Sequence, residues 1–183
     1  TALPIAAPFL LAWLVSPLVA WWLSRTVVPP RLVLDAEDAQ QLRLVARRTW
    51  HYFERFVTAE DHWLPPDNVQ AIPEQRIAHR TSPTNLGMGL LSALAAHDFG
   101  YLTTPDLVTR VNRTLQTVAR LEQHAGHLLN WYDTNNLAPL LPRYVSTVDS
   151  GNLACSLMTL AAGLRELAEL DGESAGNDAA RCG

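Results

Sequence analysis

The chain opens on 23 residues without a charge, Ala2 to Ser24, before its apolar and polar positions begin to alternate. As a helix, that length crosses a bilayer core of about 30 Å. Trp21 and Trp22 stand at its C-terminal end, where an aromatic belt belongs, with Trp13 further in. Pro4, Pro8 and Pro17 would damage a soluble helix but are tolerated in a span. Arg25 and Arg31 follow at once, and the positive-inside rule then puts the remainder in the cytoplasm. A signal peptide ending near Leu18-Val19-Ala20 and a buried core helix are the competing readings. The first lacks a basic n-region, and the second is unusual at this length without a charge. Val27 to Leu34, with Pro29-Pro30, reads as a stiff linker.

Beyond the linker, apolar spacing predicts four helices. Asp35 supplies an N-cap with Glu37 and Asp38 in the first turn, and Leu42, Val45, Ala46, Thr49, Phe53 and Phe56 carry a helix over about 36–58. A second runs from Pro83 to Asp98 with Gly100 as its stop. A third opens with Thr104 as cap and Pro105 at its first position, ending near His124. A fourth starts at Asp149 as N-cap. Only Arg143 to Val148 has strand character.

The connections alternate at about 24, about six and about 24 residues, which puts both long loops at one end of an antiparallel array. The second and fourth helices also start alike. Ser82-Pro83-Thr84-Asn85-Leu86-Gly87 aligns with Asp149-Ser150-Gly151-Asn152-Leu153-Ala154 at an offset of 67 residues. That exceeds a tetratricopeptide-type unit and suits hairpins closing into an (α/α) barrel, with these two charge-poor helices inside. The expected organisation is all-α: a transmembrane helix over 1–25, a linker over 26–34, helical hairpins over 35–170, and a polar tail over 171–183 that is disordered or truncated.

A length of 183 residues with 48% hydrophobic content supports one domain with a core. The start at Thr1 and the polar tail suggest a piece of something larger. All basic residues are arginine; a net charge of −4 without a basic stripe excludes nucleic-acid binding as the main function. Cys155 lies on an apolar helix face and Cys182 in the tail, so no disulfide framework is implied and a reducing compartment fits.

The chemistry concentrates in two loops, His79 to Gly87 and Gly126 to Leu153. Aromatic rings stack on the apolar face of a pyranose while carboxylates, amides and guanidinium groups fork onto its hydroxyls, so a carbohydrate cleft is the first reading. Asp67 and Asn68 follow Trp63-Leu64-Pro65-Pro66 and read either as a rigid turn or as sugar contacts. Arg80 reads as an ion-pair partner of Asp133 or Asp149, or as a hydroxyl ligand. Asn85 and Asn152, one turn into the inner helices, tie loops to helices or touch substrate. Trp131 and Tyr132, beside Asp133, form a stacking platform or a roof over the core.

Asp149 is a cap, or holds hydroxyls, or assists acid–base chemistry. No carboxylate pair has a spacing that assigns catalytic residues. His124 and His127 lack a third ligand nearby, so no metal is expected. The sequon Asn112-Arg113-Thr114 lies mid-helix on the cytoplasmic side and is set aside.

Four ordered motifs are more specific than any one of them. Trp63-Leu64-Pro65-Pro66-Asp67-Asn68, His79-Arg80-Thr81-Ser82-Pro83-Thr84-Asn85, Asn130-Trp131-Tyr132-Asp133-Thr134 and Tyr144-Val145-Ser146-Thr147-Val148-Asp149-Ser150-Gly151-Asn152-Leu153 together resemble cyclic β-1,2-glucan synthases. Within those large membrane enzymes the chain resembles the junction between the last membrane helix of the glycosyltransferase part and the start of the glycoamylase-like domain. The match extends to about Leu167, and after about Leu170 the tail departs from the family.

The resemblance implies an (α/α)6 barrel that closes β-1,2-glucan rings by retaining transglycosylation, in the bacterial inner membrane with the barrel on the cytoplasmic side. It further implies UDP-glucose as donor, and a divalent metal, at a glycosyltransferase site upstream; no cofactor is expected within these residues. The catalytic carboxylates are expected downstream. Partners are then the β-1,2-glucan chain, the bilayer and the remaining domains of the parent polypeptide. Two alternatives stay open: a β-glucan hydrolase on the same barrel, and a membrane-anchored helical interaction module without catalysis.

Overall fold

The computed structural model describes residues 3–25 and 34–181, the last eleven by their backbone. The expected linker therefore lies outside the described residues, apart from Leu34. The chain divides into two compact units at Gln41/Leu42.

In the first unit, α1 (Leu3–Leu23) is apolar on every side, with Phe9, Trp13, Trp21 and Trp22 all exposed. Ala6–Leu23 has a mean hydropathy of 1.7, so by length and composition it is a candidate span. Pro17 has no N–H to give the carbonyl of Trp13, and the hydroxyl of Ser16 donates to that oxygen instead at 2.8 Å. Such side-chain substitution is how a proline is accommodated in a membrane helix. Arg25 closes the end, its guanidinium 4.1 Å from the ring centre of Trp21. Asp35 caps the next helix as expected, its Oδ1 accepting from the Asp38 N–H at 2.8 Å.

That helix is α2 (Ala36–Phe56), which carries the chain into the second unit, followed there by α3 (Pro83–Asp98), α4 (Thr104–Val118) and α5 (Thr147–Arg181). Trp50 and Phe53 of α2 pack with Leu90, Ala93 and Ala96 of α3, Leu107 and Val111 of α4, and Leu160 of α5. A second cluster, Leu64, Leu86, Leu121, Leu128, Leu129 and Tyr132, lies under the loops. The α3–α5 contact is close: a Cβ placed on Gly87 would meet Ser156 Oγ at 2.5 Å and its Cβ at 2.9 Å.

Several boundaries differ from the periodicity. Thr103, not Thr104, caps α4; its hydroxyl accepts from the Asp106 N–H and donates to the Asp106 carboxylate, a reciprocal box that outcompetes a cap one residue later. The helix ends at Val118, short of the expected end near His124; Gln123–His124 instead form β4, which pairs with β5 (His127–Leu128) in a hairpin turned by Ala125 and Gly126 at positive φ. His124 and His127 face each other across that hairpin.

Asp149 is not the N-cap of α5. Ser146 holds that place, accepting from the Asp149 N–H at 3.2 Å, so Asp149 sits in the first turn. The serine hydroxyl wins because it accepts from the N–H three residues on. Helix α5 also continues through the expected tail to Arg181. Once nucleated, a helix gains a bond per residue, and Glu173, Ala175, Ala179 and Ala180 favour this despite Gly172 and Gly176.

The loops hold six two-residue strands rather than one at Arg143 to Val148. β1 (Val69–Gln70) pairs with β2 (Arg76–Ile77) inside the first long loop. More important is β3 (Arg80–Thr81) against β6 (Tyr132–Asp133), which joins the first long loop to the second with Arg80 opposite Asp133 and Thr81 opposite Tyr132. The Thr134 N–H extends the junction to the His79 carbonyl at 3.0 Å. Both long loops therefore meet, as their lengths required.

Candidate functional site

The junction rests on a buried carboxylate. Asp61 accepts from His79 Nδ1 at 2.8 Å and from the hydroxyl of Thr134. His62 Nδ1 donates to the Thr134 carbonyl at 2.7 Å, and its own carbonyl accepts from Thr117 of α4. His62 and Trp63 both take positive φ to make this turn. These groups support the site, and the sequence reading missed them because Asp61, His62 and Thr134 look like ordinary loop residues and Thr117 like an ordinary helix residue.

Above this base, Arg80 leaves β3 toward the surface. Its Nε and Nη2 both donate to Asp67 Oδ2, at 3.1 and 2.8 Å, and its guanidinium lies 4.9 Å from the ring centre of Trp131. Asp67 Oδ2 also accepts from Asn68 Nδ2 at 3.0 Å, and Oδ1 accepts from Asn85 Nδ2 at 3.5 Å. With its side chain 19% exposed against 50% for Arg80, Asp67 is an anchor that aims the other groups. The ion pair of Arg80 is thus with Asp67, not with Asp133 or Asp149; its relation to Asp133 is the backbone pairing of β3 and β6.

Thr84, next to Asn85 on α3, bridges to α5. Its hydroxyl donates to Asp149 Oδ1 and accepts from Asn152 Nδ2 at 3.1 Å. Asp67, Asn68, Arg80, Asn85 and Trp131 are therefore linked along one face, and Asp149 and Asn152 are tied to Thr84, the chain neighbour of Asn85. A threonine in a helix first turn carries no signal of such a role.

Two of the expected residues stand apart from this face. Tyr132 is fully buried; its hydroxyl donates to the Glu122 carbonyl and accepts from the Leu129 N–H, both at 2.6 Å. The ring roofs the core and does not serve as a stacking surface. Asp133 folds its carboxylate back onto the N–H groups of Asn135 and Asn136, at 2.8 and 3.2 Å, and closes its own turn. Alternation accounts for Tyr132, whose ring points to the side opposite its strand neighbours, whereas Asp133 is taken up by its own turn.

Together these residues offer a half-buried indole, a fixed guanidinium, three amides and a helix-start carboxylate. These are hydrogen-bonding groups accompanied by one flat ring, a composition suited to hydroxyl-rich ligands. Among the described residues, no group of three or more His, Cys, Asp or Glu side chains is arranged to hold a metal.

The helical fold is similar to part of a glucoamylase-like protein of known structure. A crystal structure of such a protein from Bacteroides fragilis NCTC 9343 superposes with a TM-score of 0.55 at 17% identity, covering 76% of this chain and 37% of that one. In sequence, the chain is 48% identical over 171 residues, 92% of its length, to the cyclic beta-(1,2)-glucan synthase NdvB of Rhizobium meliloti (strain 1021). It is thus homologous to a segment of a cyclic β-1,2-glucan synthase, as the four motifs indicated, and spans about 6% of that relative's length. No family model matches the chain.

Proposed function

We propose that this chain is the membrane tether and first part of the ring-closing domain of a cyclic β-1,2-glucan synthase, and that its joined loops form one wall of the glucan-binding cleft. The observation that carries this is the coupling of Arg80, Asp67 and Asn85 to Trp131 of the other long loop, 51 positions on from Arg80, in a chain so similar to such a synthase. Further hairpins of the parent polypeptide would complete an (α/α)6 barrel and supply the catalytic carboxylates. UDP-glucose would be used at an upstream site, with any divalent metal held there. α1 would lie in the bacterial inner membrane with the barrel in the cytoplasm.

On this reading the residues bind and orient rather than catalyse. Trp131 stacks on a glucosyl face, Arg80 and Asn85 take its hydroxyls, and Asp149, aimed by Thr84, accepts another. Exclusion of water by a walled cleft favours transfer to a sugar hydroxyl over hydrolysis.

The test supplies UDP-glucose to membranes containing the full-length parent and reads products by mass spectrometry. Wild type yields cyclic β-1,2-glucan, whereas Trp131→Ala and Asp149→Ala yield mostly linear chains. Rings in undiminished yield from both variants would reduce the loops to scaffold, and no glucan from wild type would end the synthase reading.

A further inference from the structure

Tyr144 belongs to the fourth motif yet takes no part in the face described above. Its ring is 52% exposed. Its backbone is nevertheless fixed by buried Asn130: the Asn130 N–H donates to the Tyr144 carbonyl at 2.9 Å, and Asn130 Oδ1 accepts from the Tyr144 N–H at 3.4 Å. An outward aromatic on a clamped backbone loses little freedom when a flat apolar surface settles on it.

Tyr144 lines a depression of about 460 Å³ together with Glu122, Gln123, His124, Leu129 and Arg143. That volume falls within the roughly 300–1,000 Å³ of small-molecule sites. Arg143 Nη1 donates to Glu122 Oε1 at 3.0 Å, with both side chains about half exposed. An exposed pair of this kind adds little stability. It does hold donors and an acceptor in fixed register beside an aromatic face, and the remaining Glu122 oxygen accepts from no group among the described residues.

We infer that this depression is a second glucosyl-binding subsite, with Tyr144 as its stacking surface and the Glu122–Arg143 pair as its hydroxyl fork. The inference rests on the reading that this chain binds glucan. Asn130, which clamps Tyr144, directly precedes Trp131, so both aromatic faces hang from one braced segment. Two platforms on one segment suit a chain of several glucosyl units better than a single sugar.

The experiment measures binding of linear β-1,2-gluco-oligosaccharides to the detergent-solubilised full-length parent by calorimetry. Tyr144→Ala is expected to weaken binding about tenfold, the loss of one stacking contact, and Arg143→Ala about threefold. Tyr144→Phe keeps the ring and stays within about twofold of wild type. Arg143 is a surface residue, so its variant still tests the site if Tyr144→Ala folds poorly. Wild-type affinity in Tyr144→Ala and Arg143→Ala alongside a weakened Trp131→Ala would overturn this subsite alone. No effect from any of the three, Trp131→Ala included, would overturn the glucan-binding reading with it. A loss in Tyr144→Phe equal to that in Tyr144→Ala would overturn stacking as the ring's role.

Discussion

Tyr132 holds the second loop through a single oxygen, bonded on one side to Glu122 and on the other to Leu129. Tyr132→Phe keeps the shape and leaves the buried Leu129 N–H and the part-buried Glu122 carbonyl unpaired, which should cost about 1–3 kcal/mol. Differential scanning fluorimetry of the parent protein would register it as a lowered midpoint. Burial raises the phenol pKa of both Tyr132 and Tyr52; the charge of Glu122 adds to the first, against an opposing bond from Leu129, and those of Asp67 and Asp61 add to the second. A folded-state pKa above the unfolded value means that the fold binds the proton more tightly. The stability contributed is complete below about pH 10 and is lost as pH rises through the folded pKa. Unfolding midpoints should therefore not fall on these groups' account up to about pH 10 and should drop above it, less steeply in Tyr132→Phe. Midpoints unchanged to pH 11 would contradict this.

At this scale, residue type was legible and orientation was not. Trp131, Tyr132 and Asp133 are three consecutive sugar-binding types, but a two-residue strand turns the middle one inward, and no propensity in the sequence marks so short a strand. Arg80 was legible as a paired residue; its partner was not, because Asp67 reaches it only after the first loop doubles back through β1 and β2.

Among the elements, helices α2 to α5 follow from apolar spacing, and three of their four starts lie within about one residue of expectation. The fourth shows where the method fails. Aligning Asp149 with Ser82 set the repeat at 67 residues, yet the caps themselves, Ser82 and Ser146, stand 64 apart. In that register Asn85 corresponds to Asp149, each donating its N–H to its own serine. Pattern matching preferred the shared Asn-Leu pair, whereas the backbone obeys the cap.

Close packing between these equivalent helices makes a sharp prediction. Gly87→Ala would force its methyl into the Cβ and Oγ of Ser156, and the overpacking cost of about 1–3 kcal/mol exceeds the roughly 1 kcal/mol of helix propensity gained. Gly163→Ala meets only the movable end of Leu94 and should be near neutral. Thermal midpoints of both variants in the parent check the contrast; equal effects would contradict the helix contact.

For the molecule as a whole, apolar faces remain in water. Met88 on α3 and Met158 on α5 are 55% and 73% exposed, with Val148 beside the site at 71%. At about 25 cal/mol per Å² of apolar surface, burying such faces under further hairpins is a substantial gain. Residues 35–170 expressed alone should accordingly unfold broadly, and a sharp cooperative melt would contradict that.

If the two loops joined by β3 and β6 form a glucan-binding wall, a density map of the full-length parent by electron cryomicroscopy with bound linear β-1,2-glucan will show it. The expected map has a glucosyl unit stacked on Trp131 with its hydroxyls within hydrogen-bonding reach of Arg80 and Asn85. A map in which Trp131 and Arg80 are sealed beneath other parts of the protein, with glucan bound elsewhere, would contradict it.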